Sequence, residues 1–150
     1  MSKTKQAARE WIDENGERLI ELSDIIWEYA ELGFVEFKSA ELLADELEKN
    51  GFQVEREVAE IPTAFVATWG SGKPVIGIMG EYDALPGVSN KAVPVKDPLI
   101  EGGAGHGCGH NIHGVSGLGG ALAVKAAMEE LKIPGTIKYF GCPAEEMLSG

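Results

Sequence analysis

VIGIMG at residues 75–80, followed directly by EYDALPG at 81–87, is the stretch that decides the expected fold. The apolar residues of the first segment run without alternation, which is typical of a strand buried on both faces inside a sheet that carries helices on both sides. Residues 52–58 and 63–69 precede it as two short runs rich in β-branched and aromatic residues, and they predict two further strands. The sequence therefore predicts a central β-sheet.

Helical patterns lie on either side of these strands. From about residue 5 to residue 30, apolar residues recur at spacings of three and four, with Asn15-Gly16 as a candidate break into two helices. A second helix is predicted from about 39 to 50, with Ser39 as its cap and Gly51 as its terminating residue. These two helices come before the strands in the chain.

A third helix and a last strand follow a long loop at residues 84–107. The helix is predicted from about 112 to 131, and the glycine- and alanine-rich first half indicates close packing against a neighbouring backbone. Residues 136–142 predict the last strand. This order of elements predicts an α/β fold, a sheet with helices on both faces.

Composition and charge exclude some classes of function. The chain has 150 residues, enough for one domain with its own core. Its net charge of -11, from 24 acidic and 13 basic residues, argues against nucleic acid as a partner. No apolar window approaches the roughly 20 residues of a membrane span, and the N-terminus lacks a secretory signal. We therefore expect a cytoplasmic protein that does not bind a membrane.

The three histidines of the chain, His106, His110 and His113, cluster with Cys108 in one glycine-rich segment. In an extended chain Cys108 and His110 point the same way, so that both could reach one cation, and thiolate and imidazole are good ligands for zinc and its neighbours. The alternative is a glycine loop at a helix start with polar surface histidines. A cysteine nucleophile is a third, less favoured interpretation.

Two pairs of carboxylates follow predicted strands. Glu145 and Glu146 are adjacent and point in different directions, so one could bind a metal while the other acts as general base. The alternative interpretation is that both glutamates are solvated and begin a helix. Glu81 and Asp83 could each be a metal ligand or a carboxylate that orients a histidine ligand, or they could be parts of a turn that ends the strand.

Four landmarks, taken together, carry a resemblance to one family. Their order and spacing resemble the metal-dependent amidohydrolase and aminoacylase family, which includes aminobenzoyl-glutamate hydrolases, plant indole-acetyl-amino-acid hydrolases and bacterial N-acyl-amino-acid deacylases. Within it they are most similar to the aminobenzoyl-glutamate hydrolase branch. The landmarks are AELGFVEFKSAELL at 30–43, GEYDALPG at 80–87, GHGCGHNIHG at 105–114 and GCPAEE at 141–146.

The resemblance implies a zinc-peptidase-like catalytic domain with a two-metal site for zinc, manganese or cobalt. The reaction it implies is hydrolysis of an amide bond in a small N-acyl-amino acid, aminobenzoyl-glutamate or dipeptide-like substrate. It implies metal-ligand roles for Cys108, His110 and Glu146, and the role of general base for Glu145. Asp83 becomes a supporting residue of the catalytic site.

The resemblance makes a metal-ligand role less expected for Glu81, His106 and His113. Glu81 stands where the family often has aspartate, and His106 and His113 are expected to be loop and helix-start residues.

Length is the main departure from the family, whose members are about two to three times longer. We therefore expect residues 1–150 to be the N-terminal part of the catalytic domain, without its remainder and without the inserted domain used for dimerisation and closure. The sheet is then incomplete, with an unpaired edge. The full-length protein is expected to be a homodimer, and this segment alone to bind metal weakly without useful catalysis. The alternative function is a non-catalytic metal-binding or interaction module.

Overall fold

The computed structural model describes residues 1–148, which form a four-stranded sheet with three long helices. Residues 149 and 150, the end of the predicted domain segment 1–150, lie outside the described residues. The helices are α1 (Lys3–Tyr29), α2 (Phe37–Lys49) and α3 (His110–Leu131), and the strands are β1 (Gln53–Arg56), β2 (Phe65–Ser71), β3 (Val75–Glu81) and β4 (Gly135–Cys142). The predicted α/β class is confirmed.

The strand order β1-β2-β4-β3 places one parallel pair in an otherwise antiparallel sheet. β1 pairs with β2 and β2 with β4 in antiparallel fashion, whereas β3 and β4 are parallel. In the parallel pair Glu81 is the partner of Cys142, so both strands end at the same edge of the sheet. Residues that follow β3 and β4 therefore leave the sheet side by side, where ligands of open α/β sheets bind.

The prediction that VIGIMG is buried on both faces is wrong for residues 1–148, where β3 is also an edge strand. Val75 is 53% exposed and Met79 is 62% exposed. The physical reason is that, among residues 1–148, the helices pack on the other face of the sheet and leave Val75 and Met79 uncovered. All three helices contribute to one core cluster with Ile137 and Tyr139, on the opposite face of the sheet from Val75 and Met79. The predicted second layer of helices is not found among residues 1–148.

The first two helices differ from their predicted boundaries. α1 is continuous through Asn15-Gly16, where the Asn15 side chain donates to the Trp11 carbonyl at 2.8 Å. α2 begins at Phe37, so Ser39 is a buried residue of its first turn and not its cap. Gly51 follows α2 with φ of +84°, which confirms it as the terminating residue.

The glycines of α3 let the helix lie directly on the backbone of β3. A Cβ at Gly114 would meet the carbonyl oxygen of Glu81 at 2.7 Å, and one at Gly117 would meet the carbonyl oxygen of Met79 at 2.8 Å. The predicted close packing of this helix is therefore confirmed. α3 begins at His110, two residues earlier than predicted, which brings that histidine to the sheet edge.

The long connection between β3 and α3 contains no regular element beyond isolated bridges, as predicted. One of these bridges pairs Leu85 with Gly105, and their backbone groups exchange hydrogen bonds of 3.0 Å in both directions. Among residues 1–148, none of the helices combines the length and the apolar character that crossing a membrane requires.

Candidate metal and catalytic site

A cluster of one histidine and four carboxylates lies where β3 and β4 end and α3 begins. One ligand atom from each of His110, Glu145 and Glu146 lies within 4.8 Å of the others, a spacing that one metal ion could bridge. Glu81 and Asp83, which end and follow β3, contact the same imidazole. The sheet edge thus gathers side chains that are separated by up to 65 positions in the chain.

The His110 imidazole is held in one orientation by Asp83. Its Nδ1 lies 2.9 Å from Asp83 Oδ1 and 3.1 Å from the Asp83 carbonyl oxygen, and both residues are buried. These acceptors favour the tautomer in which Nδ1 carries the proton. Nε2 then faces the cluster with a free lone pair, 3.4 Å from Glu81 Oε2 and 3.7 Å from Glu145 Oε2. A carboxylate that orients the far nitrogen in this way is typical of a histidine that binds metal.

Asp83 also holds the turn that carries the paired glutamates. Its second oxygen, Oδ2, accepts a hydrogen bond of 3.0 Å from the backbone N–H of Glu146. Asp83 is 1% exposed, so water does not compete for these contacts. One buried carboxylate therefore connects the first residue of α3 with the segment after β4.

The two adjacent glutamates occupy different environments. Glu146 is mostly buried, and its Oε1, 3.9 Å from His110 Nδ1, has no hydrogen-bond partner. Glu145 has 43% of its side chain exposed and opens towards solvent. A buried carboxylate oxygen without a donor is costly unless a cation or water satisfies it. The donor set of His110 and Glu146 therefore fits a divalent cation.

Cys108 lies beside this cluster rather than within it. Cys108 is exposed, and the neighbouring Glu146 carboxylate raises the pKa of its thiol above the usual value. The stretch from Cys108 to His110 is not extended, because the backbone turns at Gly109 with φ of +77° and His110 already belongs to α3. The turn still brings both residues to the same carboxylate.

The other two histidines have different surroundings. His106 Nε2 lies 3.1 Å from the Ile26 carbonyl, to which it donates, and burial lowers the pKa of His106. His106 thus ties the long loop to the end of α1. His113, in the first turn of α3, accepts from the backbone N–H of Glu81 at 3.2 Å and is about half exposed.

Glu81 is closer to the cluster than the sequence resemblance implies. Its Oε2 lies 3.4 Å from His110 Nε2 and 3.2 Å from His113 Nδ1. The spacing of Glu81 and Asp83 is consistent with this position, since alternate residues of an extended segment project to one side. Glu81 stands where the family often has aspartate, and for that reason the resemblance weakened its predicted role as a ligand.

Comparisons with known proteins show similarity to one family of peptidases. Residues 77–150 match the sequence pattern of Peptidase family M20/M25/M40. The chain is 46% identical to one of the subunits of the p-aminobenzoyl-glutamate hydrolase of Escherichia coli K12, over 93% of this chain and 29% of that protein. It is 33% identical to the human Xaa-Arg dipeptidase, over 95% of this chain and 33% of that protein. The chain thus spans about a third of the length of these relatives.

Solved structures are similar in fold. The YXEP protein of Bacillus subtilis, described as a dinuclear metal binding peptidase from the M20 family, superposes with a TM-score of 0.71 at 27% identity, over 89% of this chain and 36% of that one. An aminobenzoyl-glutamate utilization protein from Klebsiella pneumoniae has the same fold, with a TM-score of 0.62 at 19% identity over 91% of this chain and 39% of that one.

Proposed function

We propose that the protein, whose residues 77–150 match Peptidase family M20/M25/M40, hydrolyses an amide bond with the help of divalent cations. The observation that carries the proposal is the buried, unpartnered Oε1 of Glu146 beside a His110 imidazole that Asp83 orients. Relatives named p-aminobenzoyl-glutamate hydrolase, hippurate hydrolase and N-acetylcysteine deacetylase support a small N-acyl-amino acid as the substrate.

Three side chains of this segment would hold the cation: His110, Glu146 and Cys108. Imidazole, carboxylate and thiolate suit zinc, and the nitrogen and oxygen donors also suit manganese or cobalt. The dinuclear site of the Bacillus subtilis relative supports two cations in the complete protein. A bound divalent cation supplies Lewis-acid polarisation of the amide carbonyl and makes water easier to deprotonate.

Glu145 is the proposed general base. Its carboxylate is partly exposed, so water can reach it, and its Oε2 lies 3.7 Å from the metal-facing nitrogen of His110. Glu145 would take a proton from the attacking water and then give it to the amide nitrogen that leaves as an amine. Asp83 keeps the His110 Nδ1–H bonded throughout, which preserves the tautomer that the site requires.

The proposed context is a larger catalytic unit. We propose that residues 1–150 are the N-terminal part of a catalytic domain, and that the full-length protein adds the rest of that domain and a smaller dimerisation domain. The share of the relatives' length that this chain spans, about a third, supports this division. We also propose a homodimer in the cytoplasm, where the two unpaired cysteines would stay reduced.

The decisive assay uses the full-length protein with p-aminobenzoyl-glutamate, benzoylglycine and their carboxyl methyl esters. We expect hydrolysis of the free acids, weaker hydrolysis of the esters, loss of turnover after chelation and recovery with zinc, manganese or cobalt. Turnover that survives complete metal removal would contradict the proposed function. Stoichiometric metal binding without hydrolysis of any acyl-amino acid would favour the non-catalytic alternative.

Asp83→Asn should weaken metal binding by about 10- to 100-fold, the usual cost of losing an orienting partner of a metal-binding histidine. An asparagine can present its amide nitrogen to His110 Nδ1, which favours the wrong tautomer. Isothermal titration of the metal-free protein with zinc measures the change. Asp97→Asn is the matched control, since Asp97 is an exposed partner of Lys91. Equal affinities for the Asp83 variant and the wild type would show that Asp83 does not orient a ligand.

A further inference from the structure

Residues 30–36 (AELGFVE) form the first half of the landmark at 30–43 and have no part in the proposed chemistry. They nevertheless pack against the turn that carries Glu145 and Glu146. Glu36, at the start of α2, is fully buried and has no cationic partner among the described residues. A carboxyl group buried in this way is uncommon unless its oxygens have specific partners. The partners of Glu36 show what it does.

Both oxygens of Glu36 are engaged across the fold. Oε1 accepts a hydrogen bond of 2.7 Å from the backbone N–H of Ala144, which is 108 positions away in the chain. Oε2 accepts one of 2.9 Å from the Thr63 hydroxyl. Ala144 is fully buried and immediately precedes Glu145. The Glu36 side chain therefore connects α2 to the residue that begins the turn carrying Glu145 and Glu146.

Ala144 adopts a conformation that needs such support. Its φ of 57° and ψ of 36° are left-handed, a region that residues with a Cβ rarely occupy without compensation. Gly33 packs against the same residue, because a Cβ at Gly33 would lie 3.0 Å from the Ala144 Cα. The left-handed turn at Ala144 directs the two following glutamates towards His110.

The same landmark also holds the end of β3. The backbone N–H of Ala84 donates to the Glu31 carbonyl at 2.8 Å, and Leu32 forms a bridge with Ala84. Ala84 directly follows Asp83, the carboxylate that orients His110. Residues 31–36 therefore contact both chain segments that supply the site.

We propose that Glu36 is a positioning residue for the amide hydrolysis proposed above, which it serves by fixing Ala144 and so the placement of Glu145 and Glu146. Glu36 acts through the backbone and does not touch the reacting atoms. The inference rests on the proposed function, but the link from Glu36 to Ala144 can be tested without activity.

The test compares Glu36→Leu with Glu36→Gln and Thr63→Val in the full-length protein. Leucine removes the acceptor for the Ala144 N–H, whereas the glutamine side chain keeps an oxygen that can accept it. Thr63→Val removes the other buried hydrogen bond of Glu36 and leaves the contact with Ala144 intact. It therefore controls for general destabilisation.

We expect Glu36→Leu to lower kcat by about 100-fold, as small misplacements of catalytic groups do, with a much smaller change in KM. Glu36→Gln should recover most of that loss, and Thr63→Val should lower the Tm without a comparable loss of kcat. Hydrogen exchange of a peptide covering residues 143–147 should accelerate in Glu36→Leu and stay slow in Thr63→Val.

Unchanged exchange at 143–147 in Glu36→Leu would overturn the inference, whatever the activity. An equal loss of kcat in Thr63→Val would also overturn it, because the effect would then be general destabilisation. If the wild type hydrolyses no amide but the exchange result is as expected, the proposed function fails while the link between Glu36 and Ala144 stands.

Discussion

Replacing Glu145 by glutamine is expected to lower kcat by about 10²- to 10⁴-fold, the usual contribution of a general base. Glutamine has the size of glutamate but cannot take a proton from water. The three residues proposed to hold the cation, His110, Glu146 and Cys108, are unchanged in this variant. Asp83 still accepts from the backbone N–H of Glu146. Metal content should therefore stay close to that of the wild type, and substrate binding should change little.

Two further variants make this result specific. Glu146→Gln should lower both metal content and turnover, because it alters the buried ligand oxygen. Glu55→Gln, on the exposed side of β1, should leave both unchanged. Turnover and metal content are measured on the same preparations, by product formation and by elemental analysis. Wild-type turnover in Glu145→Gln would mean that another group is the base.

Gly117→Val is expected to destabilise the fold by about 3 kcal/mol, at the upper end of the cost of overpacking a core. A Cβ at this position would lie 2.8 Å from the Met79 carbonyl oxygen and 3.2 Å from the Tyr139 ring. The carbonyl belongs to β3 and cannot move without disturbing its pairing with β4. α3 would have to move away from the sheet, and His110 at its first turn would move with it.

Gly120→Ala is the matched control, because the space around a Cβ there is open within 4 Å. Alanine has the higher helix propensity, so this change should stabilise the protein by up to about 1 kcal/mol. The urea midpoint of the metal-free protein measures both variants. Similar midpoints for Gly117→Val and Gly120→Ala would show that α3 does not depend on a close approach to β3.

The elements of the fold could be predicted where the sequence pattern is local. The spacing of apolar residues located α1, and the glycines of α3 indicated its contact with a neighbouring backbone. The place of β3 could not be predicted in the same way. An apolar strand has the same pattern whether it is central or at the edge. The strand order decides between them, because β4 is the one neighbour of β3 within residues 1–148.

The candidate site was predicted in its residue types and only partly in its geometry. His110, Glu145 and Glu146 lie together as the motifs indicate. The contact between Glu81 and His110 could not be predicted, because it depends on how β3 ends beside α3. Glu36 carried no chemical signal at all, since its partners lie 27 and 108 positions away in the chain.

By itself the sequence determined which groups can bind a cation and move a proton, because histidine, cysteine and carboxylate chemistry belongs to the residue type and survives any fold. The motif spacing also indicated the kind of family whose pattern residues 77–150 match. The tertiary structure alone decided which of these groups meet, which nitrogen of His110 is free and which glutamate is buried. The physical reason is that β3 and β4 are parallel, so residues far apart in the chain leave the sheet at one edge, where Asp83 and Glu36 hold them.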